Sequence, residues 1–301
     1  MAIGAVPVFY GRVYGLTVDV EEQPVLSSRD KIRPASVAGY FYPADKYILE
    51  RDLSLLLENS PEKPLPSPVR GMLVPHAGYL YSGGVAARAY RQIMNRSYRV
   101  AVILAPSHEE QFEFISIYPG RGFRTPLGDI AIEMNLAHQL VMSDPAFRFS
   151  EAGYASGEYA LEVQLPFLKW VQDSILILPL MVGAESEALM QILVDTLPQL
   201  LDEENYLIIA SSDLSRNHPD PTARSMDQIV VGHISRFDPV HLWIDLSEKR
   251  CEMCGGMATV AMMKVLQKLN VAHAETLLYR NSSDITGDKN QVEGYLSAIF
   301  Y

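Results

Sequence analysis

The sequence predicts an α/β fold: a single domain with a central mixed, mostly parallel sheet and helices on both faces. Two observations predict it. From residue 71 onward, short runs rich in β-branched and apolar residues alternate with amphipathic stretches, which is the pattern typical of sheets flanked by helices. In addition, the chain has 301 residues, of which 48% are hydrophobic, and this is sufficient for one large core.

Each predicted strand is a short apolar run bounded by glycine, proline or polar residues. In chain order, the strands are predicted at residues 71–75, 99–105, 114–118, 175–181, 206–210, 271–279 and 293–300. The run 99–105 (RVAVILA) is typical of a strand that is buried on both faces. The last two strands can pair antiparallel.

The helices are predicted from apolar residues at helical spacing, beginning with a leucine pattern between residues 49 and 57. A proline-rich loop follows at residues 60–68. Later helices are predicted at residues 85–94, 136–142, 160–171, 185–201, 226–234, 239–246 and 256–269. Because proline cannot continue a helical hydrogen-bond ladder, Pro166 is expected to kink the helix at 160–171.

Residues 1–31 are predicted to form an irregular N-terminal extension, and residues 32–301 the domain itself. The first residues lack the basic start and compact apolar core of a signal peptide. No apolar run reaches the roughly 18 residues that a membrane helix needs. We therefore expect a cytoplasmic protein.

The chain carries 25 Lys and Arg residues against 36 Asp and Glu residues, a net charge of −11. An acidic surface repels phosphate backbones and anionic lipids, so neither a nucleic-acid nor a membrane partner is expected. The 2 cysteines are too few for a disulfide framework and fit a reducing compartment.

Polar side chains follow three of the predicted strands. His76 follows the strand at 71–75, His108 follows 99–105, and Asp213 follows 206–210. In open α/β sheets, ligands bind beyond the carboxyl ends of the strands. The same histidines can also merely end a strand and satisfy loop carbonyls, so a site and a structural role are about equally supported here.

The two cysteines form a CxxC sequence, Cys251 to Cys254, just before the helix predicted at 256–269. A lone CxxC is a weak signal for zinc or for a redox pair, and either cysteine can simply be a buried small hydrophobe. Alternatively, one thiolate lies at the helix N-terminus, where the helix end lowers its pKa and makes it a better metal ligand.

Glu158 and Glu162 lie four residues apart and are predicted to share one helical face. A half-buried carboxylate pair can orient histidine ligands by hydrogen bonds to the ring nitrogen that does not bind the metal. A solvated surface pair is the equally weighted alternative.

Several stretches of the sequence resemble the Memo-like family, which includes the B component of the AmmeMemoRadiSam system. The stretch 74–83 (VPHAGYLYSG) resembles the PHAGYxYSG motif of that family. Further stretches resemble its GPSH, RTPLG, EHxxExQLPFL, SSDLSH and CG motifs, at residues 104–108, 124–128, 158–168, 211–216 and 254–255. Tyr159 stands where the EHxxExQLPFL motif carries histidine. Arg216 stands where the SSDLSH motif carries histidine. The resemblance covers residues 32–301.

The family is similar in fold to the class III extradiol dioxygenases, whose iron is bound by two histidines and a carboxylate. The resemblance implies that His76 and His108 are metal ligands and that Cys254 replaces the carboxylate. Arg216 stands where the dioxygenase acid/base histidine is expected, and arginine cannot act as a base near neutral pH. Arg216 can instead bind an anionic group, and His218 is the nearby imidazole that can take over the position.

Four functions remain open at this point. The first is a redox enzyme that binds Fe(II), or alternatively copper or zinc, with Asp213 and Glu158 orienting the ligands or a small-molecule or peptide substrate. The second is a peptide-binding module without turnover, since the resemblance implies recognition of phosphotyrosine-type peptides. The third, also implied by the resemblance, is partnership with a radical-SAM enzyme. The fourth is a zinc hydrolase that uses the same ligands.

Overall fold

A computed structural model describes residues 31–201 and 205–301. The predicted N-terminal extension, residues 1–31, lies outside the described residues except for Lys31. The strands are β1 (Ile32–Arg33), β2 (Gly71–Val74), β3 (Val100–Pro106), β4 (Ile115–Ile117), β5 (Gly122–Thr125), β6 (Gly128–Ala131), β7 (Phe147–Phe149), β8 (Leu176–Val182), β9 (Tyr206–Ser211), β10 (Arg216–His218), β11 (Ala274–Asn281) and β12 (Val292–Phe300).

Helices connect most of these strands. They are α1 (Lys46–Glu58), α2 (Tyr79–Arg91), α3 (Met134–Ser143), α4 (Gln164–Val171), α5 (Glu187–Leu200), α6 (Asp220–Ser235), α7 (Pro239–Ser247), α8 (Gly256–Lys268) and α9 (Ser283–Thr286). None of the helices in the described part of the chain combines the length and the apolar character that a membrane span requires.

The main sheet is mixed, with the order β10-β12-β2-β9-β3-β8-β4-β7, and β11 pairs with β12. The four central strands β2, β9, β3 and β8 run parallel. Antiparallel pairs flank them, including β12 with β2 and β11 with β12. A separate small sheet has the order β1-β5-β6. The predicted mixed sheet with a parallel centre is therefore confirmed, and the last two strands pair antiparallel.

The central strands are buried on both faces, as β3 shows. Val100, Val102 and Leu104 pack into a core that contains residues of α5 and α8. Ala101 and Ile103 point the other way, into a core formed with α1, α2 and α4. Because successive side chains of a strand alternate between faces, one apolar run serves both cores. Helices therefore cover both faces of the sheet, as predicted.

Three helices begin four or more residues from where they were predicted. α6 begins at Asp220 rather than at residue 226. α2 begins at Tyr79 rather than at residue 85 and includes Gly83, where a Cβ atom would lie 3.2 Å from the Leu56 side chain of α1. The glycine thus permits close packing of the two helices. α4 begins at Gln164, so Pro166 lies in its first turn, where the missing N–H is tolerated and no kink is required. The short strands β1, β5, β6, β7 and β10 were not predicted.

Candidate metal centre

The carboxyl ends of three parallel strands meet at one edge of the main sheet. β2 and β3 both pair with β9, so the residues that follow them lie side by side. These residues are His76 after β2, His108 after β3 and Asp213 after β9. Cys254 reaches the same place from the loop before α8, and the backbone N–H of Asp213 donates to its Sγ atom over 3.1 Å.

The side chains of His76, His108 and Cys254 converge. Each offers one ligand atom, and these atoms all lie within 4.8 Å of one another. Cys254 Sγ lies 3.0 Å from His76 Nε2, and the two imidazole rings meet edge to face with their centroids 5.1 Å apart. Two imidazole nitrogens and one sulfur, brought together from distant parts of the chain, form a donor set suited to a transition metal.

Hydrogen bonds fix the tautomer of His76. The Ser211 hydroxyl donates its proton to the carbonyl oxygen of Ala160 over 2.6 Å, since a carbonyl can only accept. Ser211 Oγ therefore accepts from His76 Nδ1, 3.0 Å away, and also from the side-chain amide of Gln164. Nδ1 thus carries the proton, and the Nε2 lone pair faces Cys254. Burial, and next the neighbouring His108, hold the pKa of His76 well below its ordinary value, so the imidazole is neutral.

Glu158 orients the second imidazole. Its Oε1 atom lies 3.2 Å from His108 Nδ1 and also accepts from the backbone N–H groups of Tyr159 and Ala160. Burial acts to raise the pKa of Glu158, but the hydrogen bonds from His108 and Ala160 outweigh it and hold the pKa below its ordinary value. The carboxylate is ionised, so His108 Nδ1 carries a proton and its Nε2 is left as the ligand atom.

Cys254 is a neutral thiol in the metal-free protein. Burial, and next the Asp213 carboxylate, raise the pKa of the Cys254 thiol. The expectation that the end of helix α8 lowers this pKa is therefore wrong, because loss of solvation and a neighbouring acid outweigh the helix. Metal coordination deprotonates a thiol directly, so a raised pKa in the metal-free protein is compatible with a thiolate ligand.

Asp213 lies against the three donor atoms. Its Oδ1 atom accepts from the backbone N–H of His76 over 2.9 Å, and its Oδ2 atom lies 3.7 Å from His76 Nε2. Burial, and next the charge of Glu293, raise the pKa of Asp213 well above its ordinary value. Because Asp213 follows β9 and accepts a hydrogen bond from His76, which follows β2, its carboxyl group links the ends of these two strands beside the donor atoms.

An aromatic stack covers one side of the centre. The ring of Tyr159 stacks on His108 with the centroids 4.7 Å apart and the planes at 5°. Phe41 stacks on Tyr159 in turn, with the centroids 4.4 Å apart. Arg216 lies on β10 and pairs with Glu293, with its Nε atom 2.6 Å from Oε1. Burial raises the pKa of Tyr159 to about 12, so the phenol is neutral.

Comparisons with known proteins identify the family of the chain. The model of the family described as Memo-like protein matches residues 33–299. The chain belongs to the Memo-like family. A MEMO1 family protein of Aquifex aeolicus is 33% identical, covering 90% of this chain and 99% of that relative. One of Methanocaldococcus jannaschii is 32% identical, also covering 90% of this chain and 99% of the relative.

A solved structure supports the fold of this Memo-like chain. It is described as an uncharacterized protein from Escherichia coli K12, and it matches with a TM-score of 0.52 at 12% identity. The match covers 77% of this chain and 99% of that one. At this identity the likeness concerns the fold alone.

Two predicted site residues of this Memo-like chain lie away from the three donor atoms. Glu162 accepts from the Val37 N–H and the Tyr42 hydroxyl and pairs with Arg33, so the prediction that it orients an imidazole is wrong. The cause is local: residues 158 and 159 are irregular and residues 160–163 form a turn before α4, so the two glutamates do not share a helical face. His218 lies on β10, where its Nε2 atom is 2.9 Å from Glu252.

Sequence reasoning missed the residues that hold His76. Ser211 and Gln164 form a hydrogen-bonded chain to its Nδ1 atom, and the Gln164 amide also donates to the carbonyl oxygen of Pro75. The only signal for them was the resemblance itself, because both residues lie within the stretches that resemble Memo-like motifs.

One cavity adjoins the centre, and a second lies beside Arg216. One of about 550 Å³ is lined by Cys254 and Ser107 together with Gln111, Glu185 and Met257. Another of about 340 Å³ is lined by Arg216, Glu293 and Tyr81, among others. Both have room for a small molecule close to the side chains described above.

Proposed function

We propose that this Memo-like chain binds a transition metal, Fe(II) in the first place, through His76 Nε2, His108 Nε2 and Cys254 Sγ. The observation that carries the proposal is the convergence of these three atoms, since the partners of Nδ1 on both rings leave each Nε2 atom facing the centre. Buried donor atoms with partners on the other ring nitrogen are what a metal site requires. Two imidazoles and one anionic ligand leave coordination positions open, as in non-haem iron enzymes.

We further propose that the metal serves redox chemistry on a small molecule. A bound iron ion supplies a Lewis acid and a redox couple. The residues of this chain orient the ligands and shield the centre: Glu158 holds His108, Ser211 holds His76, and Tyr159 covers one side. The cavity beside Cys254 supplies space for the substrate. Copper and zinc are alternative metals, because imidazole and thiolate suit both, and zinc would support hydrolysis instead.

Proton transfer is the step that this site supports least. Arg216 stays protonated near neutral pH, and the pKa of Tyr159 is raised to about 12, so neither residue accepts a proton there. A dioxygenase reaction that needs a base at these positions is therefore disfavoured. A reaction whose substrate binds already deprotonated is favoured, as is one whose base is brought by a partner protein such as a radical-SAM enzyme.

The alternative of an anionic-peptide module rests on Arg216. Its side chain is 52% exposed at the edge of the site. Its Nε atom, however, lies 2.6 Å from Glu293 Oε1, so its charge is already compensated. This ion pair weighs against a general receptor for anions and favours the proposed metal-dependent function.

Metal binding is tested on protein purified without a histidine tag. We expect near-stoichiometric binding of iron or copper on anaerobic titration, and its loss in His76→Ala and in His108→Ala with an unchanged circular dichroism spectrum. His241→Ala is the matched control, because that histidine is exposed and paired with Asp238 on α7. No binding of iron, copper or zinc to the wild-type protein would overturn the proposal, as would equal affinity in all variants.

A further inference from the structure

We propose that Arg33 is a positioning residue for the metal centre. It fixes the main chain of residues 154–158, and through Glu158 it fixes the imidazole of His108. The inference rests on the proposed metal site. It assigns a role to β1 and the small sheet, which the function proposed above does not use.

The first step is the burial of the Arg33 side chain. Arg33 lies on β1, and the parallel pairing with β5 places it beside Phe123 in the small sheet. Its guanidinium carbon lies 5.8 Å from the centroid of the Phe123 ring, and only 4% of the residue is exposed. A guanidinium stays charged and carries five N–H donors, so a buried one requires acceptors on the elements around it. The small sheet thus holds a charged hydrogen-bond donor inside the protein.

The second step is the set of acceptors around Arg33. Its Nε atom donates to the carbonyl oxygen of Tyr154 over 3.2 Å, and its Nη2 atom donates to those of Ala155 and Glu158 over 3.0 and 2.9 Å. Its Nη1 atom pairs with the Glu162 carboxylate. All four acceptors lie between β7 and α4, where no strand or long helix fixes the main chain. The guanidinium therefore holds this irregular stretch in place from the side of β1.

The third step is the place of Glu158 between Arg33 and His108. The carbonyl oxygen of Glu158 accepts from Arg33, while its carboxylate accepts from the backbone N–H of His108 over 2.5 Å and lies 3.2 Å from Nδ1. Glu158 is buried, so protein groups rather than solvent set its position. A single residue thus joins the guanidinium to the imidazole. A shift of the main chain at residue 158 therefore moves the carboxylate that orients His108.

The test is the Co(II) affinity and the visible absorption spectrum of the Arg33→Lys variant. Lysine keeps the positive charge beside Glu162, but its ammonium group cannot span the three carbonyl oxygens that the planar guanidinium reaches. We expect Co(II) binding to weaken by about 3- to 10-fold, less than the roughly 10- to 100-fold typical of a direct partner of a ligand imidazole, because Arg33 acts through one further residue. We expect the ligand-field bands to shift with the orientation of His108 while the thiolate charge-transfer band is retained.

Two comparisons separate positioning from general stability. Arg224→Lys is the matched control, because this arginine also joins separate elements, donating from α6 to Asp284 on α9 over 2.9 Å. We expect it to lower the urea midpoint and to leave the Co(II) affinity and spectrum unchanged. In a Glu158→Ala background, we expect Arg33→Lys to change the affinity by less than about twofold, because the carboxylate that Arg33 positions is already gone.

A second variant serves if Arg33→Lys does not fold. Arg33→Met combined with Glu162→Gln removes both charges of the buried pair, so neither is left unpaired. Glu162→Gln alone leaves the carbonyl contacts of Arg33 in place and is expected to keep the metal affinity. The double variant should therefore show the same weakened Co(II) binding and shifted bands as Arg33→Lys.

Three results would overturn the inference. One is a Co(II) affinity and spectrum of the Arg33 variant equal to those of the wild type. Another is an equal loss of affinity on Arg33→Lys in the wild-type and Glu158→Ala backgrounds. The third is a spectral change in Arg224→Lys as large as in Arg33→Lys, which would make loss of stability the cause. A wild-type protein that binds no Co(II) would instead remove the proposed metal site itself, so the two failures are distinguishable.

Discussion

Replacing Glu158 with glutamine changes a single atom at the contact that orients His108. The carboxylate accepts four N–H groups: Nδ1 and the backbone N of His108, and the backbone N of Tyr159 and of Ala160. An amide offers only one oxygen. If that oxygen takes the Oε1 position, three of the contacts survive, and the amide nitrogen then faces the backbone N–H of His108. In the opposite arrangement three of the contacts are lost, so at least one buried donor is left unsatisfied in either case.

The magnitude follows from that count. A buried donor left without an acceptor costs about 1–3 kcal/mol of the free energy of unfolding. Loss of the partner of a ligand imidazole typically weakens metal binding by about 10- to 100-fold. We therefore expect Glu158→Gln to lower both the urea midpoint and the affinity for Fe(II) or Co(II).

Glu162→Gln is the matched control, because Glu162 is equally buried, four residues away, and bonded to Arg33 instead of a ligand. Breaking a buried ion pair costs about 3–5 kcal/mol, so this variant should lose at least as much stability but keep its metal affinity. Urea unfolding and anaerobic metal titration measure the two quantities separately. If both variants lost metal affinity in proportion to their loss of stability, the specific role of Glu158 would be refuted.

Three further predictions concern other parts of the molecule. Cys254→Ser should weaken copper binding by about 100-fold or more and manganese binding much less, because the thiolate selects soft metals; equal losses for both metals in titrations would exclude the sulfur as a ligand. Gly294→Ala should lower the free energy of unfolding in urea by about 1–3 kcal/mol, because the added methyl overlaps the buried Asp227 carboxylate; an unchanged urea midpoint would contradict this. A hydrogen bond from Asn281 lowers the pKa of Asp220, so this carboxylate stabilises the fold above a pH of about 3.9 and ceases to do so as the pH falls below it. Between about pH 6 and about pH 3, Asp220→Asn should therefore lose less stability than the wild type, and an equal loss would show that the carboxylate contributes nothing.

The central strands could be predicted because their apolar runs are continuous, as in residues 100–105, which are buried on both faces. Their order could not be predicted. β9 lies between β2 and β3 although it follows them by about a hundred residues, and such pairing depends on the packing of the whole domain. The short strands β1 and β10 have no periodic signal of their own and exist only through their partners.

At the candidate metal centre, His76 and His108 could be predicted because each follows a recognisable strand. Cys254 was a weak candidate on its spacing alone and became a strong one through the family resemblance. The stacking of Tyr159 on His108 could not be predicted, because the two residues are distant in the chain and no local pattern links them. The irregular residues 158 and 159 and the turn at residues 160–163 were missed because glutamates at a four-residue spacing imitate a helical face.

X-ray absorption at the iron edge of the Fe(II)-loaded protein tests the central claim most directly, since it reports the atoms bound to the metal. We predict two nitrogen scatterers at about 2.0–2.1 Å and one sulfur scatterer at about 2.3 Å, with the sulfur lost in Cys254→Ser. A first shell made only of oxygen and nitrogen in the wild-type protein would contradict the assignment of Cys254. A spectrum unchanged in His76→Ala and His108→Ala would contradict the site as a whole.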